Sequence, residues 1–309
     1  MNYVNCNKED LEKEYAALVA EYEEVKGKGL KLNMARGKPG EDQLNLSRPL
    51  LDVINSSTDC ITAHGADCRN YGELAGIDEC KNFFAEIFDV DPSDVMVGGN
   101  SSLNMMFDTI AGFMTKPVVE GCKPWYEVKN RKFLCPAPGY DRHFAITEYF
   151  DFDLIPVPMT ENGPDMDVVE KLVENDDSIK GIWCVPKYSN PLGITFSDET
   201  VKRFAALKPA AKDFRIMWDN AYCVHDVTDT PDELLSLMAE CRKTGNVDLP
   251  IMFTSTSKIT FPGSGVAAMA ASDNNMKVIK NRYQYQVISY DKMNMLRHAR
   301  FFGDLNGVK

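Results

Sequence analysis

The chain has 309 residues, 44% hydrophobic and 26% charged, with a formal net charge of −12. This is the composition of a soluble globular protein, and the length suits one large domain plus an accessory part. The acidic balance argues against non-specific nucleic-acid binding, which relies on basic patches, and no apolar run approaches the length of a membrane span. An anionic substrate must therefore be drawn in by local arginines or helix ends, against the overall field. Nine cysteines and four histidines are scattered without a Cys-x-x-Cys pair, which argues against structural zinc and for free thiols in a reducing compartment. The N-terminus is polar and acidic, without the basic-then-apolar order of a signal peptide, so a cytoplasmic protein is expected.

In chain order, residues 8–26 predict a helix with Leu11, Tyr15, Leu18, Val19 and Tyr22 on one stripe, ended by Gly27 and Gly29. A turn-rich stretch, Arg36 to Gly40, follows, and residues 47–55 could begin another helix. From about residue 70 the rhythm changes. Short apolar or β-branched runs at 95–97, 132–135, 154–157, 181–185, 215–218, 251–254 and 266–270 alternate with helical patterns. That alternation predicts an α/β fold, a mostly parallel mixed sheet of about seven strands between helices in three layers. Among the helices, apolar residues at 103, 106, 107, 110, 111 and 114 recur at helical spacing, and segments 167–174 and 198–207 look similar. Ser197 is placed as an N-cap, with acids in the turn after it.

Ligands of parallel α/β sheets sit beyond the carboxyl ends of the strands, so the residues following each strand carry the functional reading. After 95–97 comes Gly98, Gly99, Asn100, Ser101 and Ser102, a glycine turn opening a helix, where unpaired N–H groups and hydroxyls suit a phosphate. After 132–135 a proline-stiffened loop presents Tyr140, able to stack on a ring. After 181–185 the turn holds Asn190, an amide donor, and after 215–218 come Asp219 and Tyr222. A carboxylate following so apolar a strand needs a cationic or protonated partner. After 251–254 lies Ser255, Thr256, Ser257, Lys258, a single amine among hydroxyls. Each item alone has an ordinary reading as a cap, a turn or a packed tyrosine. Together they fit a phosphorylated, nitrogen-containing aromatic aldehyde that forms an imine with lysine, which is pyridoxal phosphate (PLP).

The ordered set Asn70-Tyr71-Gly72, Gly99 to Ser102, Pro138-Gly139-Tyr140, Asn190 to Gly193, Asp219 to Tyr222 and Ser255 to Lys258 resembles the class I aminotransferases of PLP fold type I. The spacings agree, with Asp219 29 residues after Asn190 and Lys258 39 after Asp219. Segments 34–47, 98–106 and 254–267 are most similar to a bacterial aspartate aminotransferase subgroup related to the effector domains of MocR-type regulators. The resemblance implies Lys258 as the imine lysine and proton carrier, and Asp219 as partner of the pyridinium nitrogen. It implies Tyr222 and Asn190 on the ring's phenolic oxygen, Tyr140 stacked on the ring, and Asn100, Ser101, Ser102 and Ser255 on the phosphate. Tyr71 would reach the phosphate of a neighbouring subunit in a homodimer with shared sites, and Arg36 and Gly37 would lie near the substrate carboxylate. An aminotransferase acting on aspartate or glutamate with a 2-oxo acid is expected. A lyase or decarboxylase on the same fold, and a PLP- or amino-acid-sensing effector module, are the alternatives.

Two departures stand out. Gly265 and Val266 occupy the positions where the family carries a phosphate-binding arginine. The chain also ends at Lys309, where family chains continue into a small domain that supplies the α-carboxylate arginine. Residues 1–46 are accordingly expected as an N-terminal helix and arm of a small domain, and 47–309 as the large PLP-binding domain, with the C-terminal small domain missing.

Overall fold

A computed structural model describes residues 3–32, 38–226 and 228–308. The chain forms two compact units, Met1–Gly40 and Glu41–Lys309. The first holds a short 3-10 turn (Tyr3–Asn5) and helix α1 (Lys8–Gly27). Asn7 caps α1, its side chain accepting from the Asp10 N–H at 2.9 Å, and Glu9 and Asp10 stand in the first turn, where the helix dipole favours them. The expected apolar stripe exists, but no residue of α1 is buried, and Tyr15 is 70% exposed.

The second unit opens with α2 (Glu41–Leu46). The helix suggested from residue 47 is instead a 3-10 turn, Arg48–Asp52, with Pro49 near its start, and it buries only Leu50. Then follow α3 (Asp78–Phe88), β1 (Val95–Val97), α4 (Ser102–Thr115), β2 (Lys132–Ala137), α5 (Asp141–Tyr149) and β3 (Asp153–Thr160). The chain continues through β4 (Gly163–Pro164), α6 (Met166–Asn175), β5 (Ile179–Cys184), α7 (Asp198–Ala205) and β6 (Arg215–Asp219). It closes with α8 (Leu237–Thr244), β7 (Pro250–Ser255), β8 (Ala267–Ala271), α9 (Asp273–Tyr283) and α10 (Lys292–Phe302).

The eight strands form one sheet in the order β1-β8-β7-β6-β5-β2-β3-β4. From β7 to β3 neighbouring strands are parallel, while β8 runs antiparallel to both β7 and β1, and β4 antiparallel to β3. All seven strands expected from the sequence are present. β4 adds a two-residue strand too short for a periodic signal. Side chains alternate between two hydrophobic layers, as a pleated strand buried on both faces requires. Ile216 and Trp218 of β6 enter the layer containing Phe84, Val201 and Leu296, whereas Met217 enters the opposite layer with Met106, Phe113 and Ile279. The result is a three-layer α/β arrangement whose parallel strands deliver their carboxyl ends to one edge. Among the described residues, no helix is long and apolar enough to cross a membrane.

Candidate active site

Strand β6 ends at Asp219, whose backbone is pinned by the ladder: Asp219 pairs with Phe253 of β7, and the next N–H, of Asn220, donates to the Phe253 carbonyl at 2.8 Å. The carboxylate is 4% exposed. Its Oδ2 accepts from His143 Nε2 at 3.0 Å, while Oδ1 is buried with no hydrogen-bond partner among the described residues. A buried carboxylate oxygen left in this state costs free energy unless a donor meets it. A protonated ring nitrogen is such a donor, so this atom fits PLP.

His143 was not singled out in the sequence, yet it organises this end of the site. It lies in the first turn of α5, three residues after Tyr140, which is the N-cap residue. Its ring is 1% exposed and stacks on Trp183 of β5, with centroids 4.7 Å apart and planes 17° apart. Tyr140 meets the same imidazole edge-on, at 5.0 Å and 86°. Burial first, then the Asp219 charge, pushes the Tyr140 phenol above its ordinary pKa, so the hydroxyl keeps its proton. Tyr140, His143, Trp183 and Asn190 line one narrow pocket. The i, i+3 spacing of Tyr140 and His143 after a strand end was the available signal.

Lys258 closes the 3-10 turn Thr256–Lys258 that follows β7. Its Nζ stands over the Tyr222 ring, 4.7 Å from the centroid, a cation–π contact that places amine and phenol together. The hydroxyls of the same turn face the start of α4. Ser255 and Ser257 hydroxyls are 2.8 Å apart, and the Ser257 hydroxyl donates to the Asn100 carbonyl at 3.2 Å. The Asn100 amide in turn donates to the Gly263 carbonyl at 3.3 Å. Ser101 caps α4, accepting from the Asn104 N–H, and Ser102 begins the helix. Two strand ends thus converge on a helix N-terminus rich in N–H and O–H groups, which suits a phosphate. Ser257 belongs to this cradle and was missed as a site residue.

The positions where an arginine was expected hold none, and both are closely packed. Gly265 is packed so closely that a Cβ would lie 3.0 Å from the Ser257 nitrogen and 3.1 Å from Thr256 Oγ1. Val266 is buried in the core, its N–H donating to Thr256 Oγ1 at 2.9 Å. In this backbone, residues 264–266 support the Lys258 turn from beneath.

Not every expected residue is gathered. Tyr71 is 81% exposed, its backbone N–H held by Asn70 Oδ1. Arg36 and Gly37 lie outside the described residues. Among the described residues no cluster of His, Cys, Asp and Glu suits a metal ion.

Comparison with known proteins identifies the family. Residues 6–309 match the family model described as aspartate amino-transferase. An aspartate aminotransferase of Corynebacterium glutamicum is 43% identical over 288 residues, covering 93% of this chain and 66% of that relative. The crystal structure of an aspartate transaminase from the same organism superposes with a TM-score of 0.89 at 41% identity, covering 98% of this chain and 71% of the other. The chain thus spans about two thirds of the length of these relatives. The fold is also that of an α-aminoadipate aminotransferase from Thermus thermophilus solved with N-(5'-phosphopyridoxyl)-L-leucine, with a TM-score of 0.67 at 18% identity. The chain belongs to the aspartate aminotransferase family, whose cofactor is PLP.

Proposed function

We propose that this chain transfers the amino group of an acidic amino acid, aspartate or glutamate, to a 2-oxo acid, with PLP carried on Lys258. The observation that carries the reading is Asp219, a buried carboxylate with one oxygen held by His143 and the other without a hydrogen-bond partner among the described residues. PLP, when bound, supplies an electron-withdrawing ring that makes a proton on the substrate α-carbon removable. Asp219 would hold the ring nitrogen protonated, because a carboxylate within hydrogen-bond reach favours the charged form. Lys258 Nζ, freed once the substrate amine takes its place on the cofactor, would take the α-proton and return it two atoms away, across the shared nitrogen. Tyr222 and Asn190 would face the phenolic oxygen, Tyr140 the ring, and Asn100, Ser101, Ser102 and Ser255 the phosphate. The acidic donor is supported by the name of the Corynebacterium glutamicum relative. A homodimer in which Tyr71 serves the neighbouring subunit completes the reading.

The test is covalent trapping. Borohydride treatment of the PLP-loaded protein should fix the cofactor on the Lys258 peptide, and Lys258→Ala should abolish the adduct. Aspartate or glutamate, added singly before borohydride, should release the cofactor from Lys258, and a 2-oxo acid should restore it. An adduct surviving Lys258→Ala, or release of carbon dioxide or ammonia in place of amino transfer, would overturn the proposal.

A further inference from the structure

Beyond the cradle and the acid, one side chain touches Lys258 through its backbone. His225 follows Tyr222 by three residues, and its Nε2 lies 3.1 Å from the Lys258 carbonyl oxygen. A carbonyl only accepts, so the ring donates Nε2–H. Its Nδ1 is buried and has no partner among the described residues. The same imidazole meets the Tyr222 ring edge-on, with centroids 5.7 Å apart and planes 86° apart. Tyr222 is the ring over which Lys258 Nζ sits. One residue therefore contacts both the main chain of the lysine and the platform under its amine.

The loop that carries His225 is itself fixed. Lys187, 7% exposed, reaches from the loop after β5 to Asp226 Oδ1 at 2.8 Å and to the Cys223 carbonyl at 3.3 Å. A lysine this buried is held by its partners, and removing them would leave an uncompensated charge. Tyr188, next in sequence, has φ +47°, a left-handed backbone that a bulky residue keeps only when its surroundings impose it. Its hydroxyl accepts from the Asp232 N–H at 2.9 Å. The loop bearing Asn190 and the loop bearing Tyr222 and His225 are thus tied to each other, and His225 ties both to Lys258.

Resting on the reading of Lys258 as the cofactor lysine, we propose that His225 is a positioning residue, which fixes the Lys258 turn through its Nε2–H and holds the amine over Tyr222. Burial, followed by the Lys258 and Lys187 charges, holds its pKa below the ordinary imidazole value, against the opposing bond to the Lys258 carbonyl. The ring stays neutral with its one proton on Nε2, as the bond requires.

Two substitutions separate the hydrogen bond from the shape. His225→Phe keeps an aromatic edge against Tyr222 but has no donor, whereas His225→Gln can place an amide N–H where Nε2 stood. Hydrogen exchange on the cofactor-free chain reads the turn directly. Amides of the Thr256–Thr260 peptide should exchange about fivefold faster in His225→Phe and near the wild-type rate in His225→Gln, as expected for one neutral hydrogen bond. The rate of borohydride-trappable PLP attachment to Lys258 should follow the same order. Phe equal to wild type with Gln impaired would show that only packing matters and would overturn the proposal, as would two unchanged variants. Absence of attachment in the wild-type chain would instead refute the reading of Lys258.

Discussion

At the scale of single residues, Asp219 shows what a sequence can and cannot reveal. An acid at the end of an apolar strand was legible, because burying it demands a partner. That one partner is His143 was not, since 76 residues separate them and only the parallel pairing of β2, β5 and β6 brings α5 over Asp219. Asp219→Asn should keep the cofactor, because the phosphate cradle and Lys258 are untouched, but turnover should fall by roughly 10² to 10³, the range seen when one preorganised electrostatic group is removed. The amide no longer favours a protonated ring nitrogen. Trapped adduct and steady-state rate measured on one preparation check this, and an unchanged rate would remove Asp219 from the mechanism. The glycine at 265 is the converse case. In sequence it marks a missing cation, and only the 3.0 Å approach to Ser257 shows it as a packing requirement.

At the scale of elements, the strands were legible because each carries a short, largely apolar run with turn residues nearby. Helix α10 was not singled out, although Met295, Leu296 and Phe302 are buried. Its pattern is interrupted by buried polar residues that only tertiary contacts explain. One of these is His298, 2% exposed, donating from Nδ1 to the Asn294 carbonyl at 2.9 Å and facing the Thr260 hydroxyl from Nε2 at 3.0 Å. Thr260 in turn lies on the Thr256 carbonyl, so α10 braces the Lys258 turn from behind. Burial above all, and then the Arg297 charge, lowers the His298 pKa below 6.5, the Asn294 bond opposing. Below about pH 6.5 the unfolded chain therefore binds a proton that the folded chain refuses. Stability should fall as pH falls through this range, by up to about 1.4 kcal/mol per pH unit for one such group. His225 shifts in the same sense, so His298→Gln should shallow the slope without flattening it. Urea midpoints collected between about pH 5 and 7.5 test this, and an unchanged slope would exclude His298 as a source.

At the scale of the molecule, the sheet class followed from alternation of strand and helix, but the order of strands did not. Periodicity reports which face is buried, not which neighbour is paired, and the antiparallel insertion of β8 between β1 and β7 left no local mark. The same limit applies between chains. A dianionic phosphate must be held by a chain of net charge −12 with no cation at 265 or 266. The donors gathered within one chain are hydroxyls, amides and the α4 N-terminus, while Tyr71 stands 81% exposed. In the proposed homodimer a two-fold axis would carry each Tyr71 to the other subunit's cradle. Tyr71→Phe should then weaken PLP retention about tenfold, the effect of losing one hydrogen bond to a charged group. Pairing a Tyr71→Phe chain with a Lys258→Ala chain, under two affinity tags, decides which subunit it serves. In the isolated hybrid, the only lysine able to hold PLP belongs to the Tyr71→Phe chain, and the only Tyr71 to its partner. Trapped adduct at limiting PLP should therefore return to the wild-type dissociation constant, because the donor arrives from across the axis. A hybrid as weak as the Tyr71→Phe homodimer would place Tyr71 in its own subunit's site, and a chain that never pairs would remove the shared site altogether.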